Sequence, residues 1–576
     1  MLPTEEETQN FETDVLVIGS GGAGTRAAIE AARSGARVIL VTKRRLGQGG
    51  VTPVAVGAAA ALGYADAADS PLEHLRDTVV GGHYLSNQEI VSTLAHEAPR
   101  RLLELQTFGA RFDKQPDGRL RQLALPGHRY PRSVDYHMQT GQEIMRGLLQ
   151  ELHRQPDIRV IGDMIVCELL VDSGQIQGAV GLDLVSGAIV MIEARAVVLA
   201  TGGIQEAYAP YAYHAPDLTG DGLALALRAG AELCDLEFLQ FFPTALVWPP
   251  ELAGLIWIGE LRYHCGAWLM NKYGERFMAR YDPLRMELAT RDLVARGIAT
   301  EMLEGRGTPH GGVWMSVAHL AQNQVQAFLD ETFPDGLFGG HDLRAAGIDI
   351  RRDALEVAPI VHFHMGGIRI DALTRTRVAG LFAAGEVAAG VHGANRIENN
   401  ALTEALVFGA LAGEQAGRYA RATSGGGLSP DHHMWLRAQK SLSSSVKDDE
   451  RLSRVRAELQ RILWERVGLV RDGDGLEQAI TELVRLRKEI AAYPVPGSGR
   501  QMRAVQEVQN LVLVAEALAR AAYARQESRG AHFRIDYPNQ NDSQWLVNLI
   551  VTLEDGEFCL RTEPVQFPYV APTARL

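Results

Sequence analysis

The stretch that most constrains this chain is Gly19-Ser-Gly21-Gly-Ala-Gly24. It follows an apolar run, Asp14–Ile18 (DVLVI), and leads into TRAAIEAARSGARVILVTK, which reads as a helix, a glycine turn and a second strand. In a βαβ unit this fingerprint predicts a dinucleotide site. Gly19 permits the tight turn, Gly21 lets the backbone approach a pyrophosphate, Gly24 allows close helix packing, and the helix dipole attracts the phosphates. The second strand ends Val41-Thr42-Lys43, without the Asp or Glu that would hold the ribose of NAD. That favours a larger cofactor held at several points, and the single fingerprint disfavours a separate NAD(P)H domain.

Two further apolar strands end in glycine turns: Ala196–Ala200 before a glycine pair, and Val378–Ala384 before Gly385–Glu386. Three such strands predict one Rossmann-like parallel-sheet domain interrupted in sequence. A chain of 576 residues needs several folding units. The expected architecture is α/β: residues 1–245 and 356–422 form the nucleotide domain, 246–355 an inserted α+β capping domain, and 430–576 a carboxy-terminal helical domain. Helical patterns occupy MELATRDLVARGIATEMLE and VAHLAQNQVQAFLDETF in the cap, then Asp449–Val467, Gly475–Ile490 and Met502–Arg525. TSGGGLSP, from Thr423, reads as a linker, and WLVNLIVTLEDG as a closing strand.

Several function classes are disfavoured by composition. A formal charge of −13 argues against a nucleic-acid partner, which needs a basic face. Cys167, Cys234, Cys265 and Cys559 are far apart with no CxxC, so no metal, iron–sulfur or disulfide site is expected. The acidic amino terminus lacks the marks of a secretory signal, and no run of about eighteen uncharged apolar residues occurs. A cytoplasmic protein is expected, reaching a membrane only through another subunit.

The ordered series GSGGAG, QGG, LATGG, TGDG, EFLQFFPT, NKYGERFMARYDP, ELATRDLVAR, HFHMGG, LFAAGE, HGANR and ESRGAHFRIDYP resembles the flavoprotein subunits of succinate dehydrogenase and fumarate reductase, together with L-aspartate oxidase. The resemblance covers most of the chain and implies FAD, with adenosine on the first βαβ unit and isoalloxazine against the cap. By position, it implies FAD contacts at Gly19, Gly21, Gly24, Thr42, Lys43, Gly49, Gly50, Asp221, Glu386, Ala401 and Leu402, with Asp221 and Glu386 as acids for sugar or ribityl hydroxyls. Succinate-oxidising members carry a flavin-linked histidine shortly before QGG. Here that stretch is KRRLGQGG, which implies non-covalent FAD.

The same resemblance makes Arg291 the proton-exchanging arginine and Glu260 its relay glutamate, while Tyr263 replaces the next relay arginine. Arg262 and His264 flank that gap as candidate substitutes. His362 and Arg396 match the pair that clamps one substrate carboxylate, a task suited to a planar guanidinium. The second carboxylate is normally held by a His and a Thr, but those positions are Phe242 and Gly259 here. A second buried carboxylate would be poorly compensated, so a substrate with one carboxylate and a less polar remainder is expected. The expected activity interconverts a saturated acid and its 2,3-enoate, with electrons exchanged through an iron–sulfur partner protein. Two alternatives are an oxidase of the L-aspartate oxidase type and a non-catalytic electron-transfer flavoprotein.

Overall fold

A computed structural model describes residues 9–212, 216–338, 340–423, 449–493 and 499–572. The expected linker lies, beyond Thr423, outside the described residues.

Uninterrupted aliphatic runs bury both faces of a strand, and such strands pair in parallel beneath covering helices. Val15–Ile18 and Val38–Val41 are of this kind. The first strand, Gln9–Ile18, lies between Val38–Val41 and Ile189–Leu199, with Ile158–Ile161 beyond Val38–Val41, all parallel. Leu381–Ala383 adds in parallel along the end of Ile189–Leu199. Beyond these strands a hairpin, Met164–Asp172 and Gln175–Asp183, extends the sheet antiparallel. Its turn residues Ser173 and Gly174 both have positive φ (50° and 78°), as a two-residue hairpin requires.

Ile18 is in register with both Val41 and Leu199, and Leu199 with Ala383, so the turns after these strands converge at one edge of the sheet. The helix Gly22–Arg33 starts at that edge, and Asn400–Ala422 packs along it. A Cβ added at Gly409 or Gly413 would come within 2.5 Å of the Ala23 carbonyl oxygen or 2.1 Å of that of Ala27. Only a glycine stripe allows this approach, and it fixes residues 391–399 relative to the dinucleotide turn.

A second, antiparallel sheet runs in the order Leu239–Leu246, Leu355–His364, Val313–Ser316, Trp268–Met270. With the helices Arg291–Leu303 and Gln322–Thr332 it encloses a separate apolar core between Leu246 and Val357. Both helices fall within the patterns expected for the cap. The carboxy-terminal helices Asp449–Arg466, Gly473–Ala491 and Gly499–Ala524 match the three periodic runs. A hairpin follows, Val547–Glu554 with Glu557–Pro564, and its first strand pairs with Leu233–Cys234. Fully buried Arg525 bonds Glu237 (2.6 Å) and Glu527 (3.1 Å), joining the ESRGAHFR segment to the start of the second sheet.

Candidate active site

One cavity of about 560 Å³ runs from the converging turns to the cap. Gly19, Gly21, Thr42, Lys43, Gly49, Gly50, Asp221, Glu386, Ala401 and Leu402 all line it. Gly24 does not. A Cβ there would stand 1.8 Å from the Gly19 carbonyl oxygen, so Gly24 serves helix-to-turn packing. Gly19 has φ +106°, and a Cβ on it would meet the Ala200 carbonyl oxygen at 2.2 Å. At Gly21 the nearest atom to an added Cβ is Thr52 Oγ1 at 3.6 Å, so this position stays open to a ligand.

Lys43 Nζ pairs with Asp221 (2.8 Å) and Glu507 (3.0 Å), and Asp221 also accepts from Asn510 (2.8 Å). One Glu386 oxygen accepts from the His364 backbone N–H (2.9 Å) and from Gln205; the other, Oε2, is buried without a partner. Burial pushes the Glu386 carboxyl up to about 7.

At the cap end Arg396 is buried and donates from Nε to Gln240 (3.1 Å), with its guanidinium 4.9 Å from the Phe363 ring centre. It has no carboxylate within ion-pair distance among the described residues. Burial, then the positive charge of Arg291, pull it down to about 9. His362 carries a buried Nδ1 without a partner. Burial and the charges of Arg291 and Arg396 hold it well below the ordinary histidine range, so it is neutral. Its ring stands 5.5 Å from Phe242 and 5.2 Å from Trp257. The structure thus brings His362, Arg396, Phe242 and Arg291 to one chamber.

Arg291, the first residue of its helix, donates from Nε to Glu398 (2.6 Å), makes a second bond to the other Glu398 oxygen, and donates to Gln240 (3.2 Å). Tyr263 donates its hydroxyl to the same Glu398 (2.5 Å). The acid on Arg291 is therefore Glu398, a residue given no such part by the sequence pattern. The available signal was the cation lost at Tyr263 together with an acid, Glu398, two residues after Arg396. Arg262 points away from the chamber, donating to the backbone carbonyls of Glu287 and Ala289 (3.4 Å for the second) with its guanidinium 4.5 Å from the Tyr263 ring centre. His264 lines the cavity.

Glu260 also lines the cavity but makes no hydrogen bond or ion pair to Arg291. Burial first, then the charge of Glu398, push it up to about 7 from 4.5. A carboxyl raised in the folded state contributes stability that is full below its unfolded value and lost as pH rises through its folded one. Between about pH 4.5 and pH 8 the protein should therefore lose about 3 kcal/mol relative to Glu260→Gln. Denaturant unfolding of both proteins across that range measures it. A constant difference would mean that folding does not raise the Glu260 carboxyl.

Among the described residues no group of three His, Cys, Asp or Glu is placed to hold a metal, and no helix is long and apolar enough to cross a membrane.

A dinucleotide cradle opening into a buried chamber with two guanidinium groups is the arrangement of a flavin-dependent oxidoreductase. A family described as FAD binding domain matches residues 14–402, and one described as fumarate reductase flavoprotein C-term matches residues 456–576. A fumarate reductase (CoM/CoB) subunit of Methanothermobacter marburgensis is 38% identical, covering 95% of this chain and 98% of that one. The L-aspartate oxidase of Streptomyces coelicolor is 36% identical over 97% and 94%. In structure, the FrdA chain of Escherichia coli quinol fumarate reductase superposes with a TM-score of 0.90 at 30% identity over 98% and 99%. Sdh1 of Mycobacterium smegmatis gives 0.86 at 37% over 97% and 95%. The chain belongs to the fumarate reductase and succinate dehydrogenase flavoprotein family, and its cofactor is FAD. The cradle fits that cofactor: the open face of Gly21 and the partnerless Glu386 Oε2 suit a pyrophosphate and a hydroxyl.

Proposed function

We propose that this enzyme interconverts a saturated monocarboxylate and its 2,3-enoate. The observation that carries this is Arg396, a buried guanidinium with no carboxylate in ion-pair distance among the described residues, in a cavity also lined by Phe242 and Trp257. When bound, FAD would supply or accept the hydride. Arg396 and His362 hold the substrate carboxylate, and Arg291 exchanges a proton with the neighbouring carbon. Phe242 and Trp257 exclude water and give the rest of the substrate an apolar wall.

The cofactor is held without a covalent link, because Lys43–Gly50 contains no histidine. Electrons pass through a separate protein, an iron–sulfur subunit, a reading supported by the likeness to proteins that are themselves subunits of larger reductases. Among the described residues, those of 246–355 act as the cap over the flavin, those of 9–245 and 356–422 as the FAD-binding domain, and those from 449 onward as the helical domain.

The test is anaerobic reoxidation of the reduced holoenzyme by crotonate and by fumarate, which differ by a methyl for a carboxylate. Fast crotonate with slow fumarate is expected, and fast fumarate would refute the monocarboxylate reading. The S. coelicolor likeness keeps an amino-acid oxidase reading in view; hydrogen peroxide formed with an amino acid as sole substrate would favour it.

A further inference from the structure

The residues that depart from the family pattern touch one another. A Cβ at Gly259 would stand 2.9 Å from Tyr263 Cε2 and 3.2 Å from Phe242 Cζ, so the two rings leave room only for glycine. Tyr263 in turn holds Glu398 through its hydroxyl, and Glu398 grips Arg291 through two bonds. Phe242 completes the unit by lying 5.1 Å from the Arg291 guanidinium.

This unit also decides the charge of the chamber. Arg291 and Glu398 are both buried and form a neutral pair, and below the pH at which Glu260 in the same cavity ionises, Arg396 is the cation left unneutralised among the residues that meet there. Resting on the monocarboxylate reading above, we propose that Glu398, held by Tyr263, is the specificity-determining residue: by neutralising Arg291 it limits the chamber to ligands with one carboxylate and repels a second. Like charges brought together in a desolvated site cost several kcal/mol, enough for a large discrimination.

The experiment is titration of the oxidised holoenzyme with butyrate and succinate, followed by the flavin absorbance change, which reports binding without turnover. The protein should bind butyrate about ten-fold or more tightly than succinate. Glu398→Gln should lose that preference by about ten-fold or more, whereas Glu398→Asp, which keeps the charge, should retain it. If the glutamine variant does not retain FAD, Glu398→Ser is read in its place. Succinate binding as tightly as butyrate in the unmodified protein would overturn the monocarboxylate reading itself. A butyrate preference that survives in Glu398→Gln would leave that reading intact and overturn the role of Glu398.

Discussion

Replacing Arg396 by glutamine is expected to lower kcat/KM for an enoate by about 10²–10⁴-fold with FAD still bound. One hydrogen bond to a charged group is worth about 1.5–3 kcal/mol, and a guanidinium can present two to a carboxylate, giving about 3–6 kcal/mol. At about 1.4 kcal/mol per factor of ten this is the stated range. Glutamine can keep one contact to the substrate but no charge. The same change should stabilise the free enzyme. Arg396 is buried beside Arg291 without a carboxylate of its own, a strain visible in its fall to about 9. Removing an uncompensated buried cation relieves it. Steady-state kinetics with a thermal melt would show lower activity together with a higher Tm. Unchanged kcat/KM would mean that the carboxylate binds elsewhere.

Much of this architecture can be read from residue order because its determinants are local. The dinucleotide turn is legible because a buried strand, three glycines and a helix follow one another within a few residues, and Gly19 and Gly24 meet the backbone as their spacing implies. The carboxy-terminal helices are legible from their apolar period. The hairpin Val547–Glu554 with Glu557–Pro564 is only half legible, because its second strand, EFCLRTEP, lies at the edge of its sheet and is mostly exposed, without a clear apolar face. Glu398 could not be placed from its neighbours at all. Its partners Tyr263 and Arg291 lie 135 and 107 residues away, and only the packing of the cap against residues 391–399 brings them together. By resemblance the acid beside Arg291 belongs at Glu260, whereas the carboxylate that grips Arg291 comes from Glu398. Gly259 shows the same limit, since a missing threonine reads as a loss until the two rings filling its space are seen.

Arg291→Ala is the most damaging single change expected at this site, and it separates two roles that one residue combines. As proton donor or acceptor Arg291 contributes about 10²–10⁴-fold, so anaerobic reoxidation of the reduced enzyme by an enoate should slow by that factor. Butyrate affinity should fall too, because Glu398 is left uncompensated in the chamber, but it should change far less in the double variant Arg291→Ala/Glu398→Gln, where Arg396 and His362 remain. As counter-ion, Arg291 neutralises Glu398, whose carboxyl stays below its ordinary value because the Arg291 charge and bonds outweigh the effect of burial. Removing one member of a buried pair costs about 3–5 kcal/mol, so Arg291→Ala should also melt at a lower temperature. The double variant Arg291→Ala/Glu398→Gln removes both charges and should recover most of the lost stability without recovering turnover. If turnover returned together with stability, Arg291 would be only a structural counter-ion, and the proton would reach the substrate from another group, with the Tyr263 hydroxyl and Glu260 as candidates lining the same cavity.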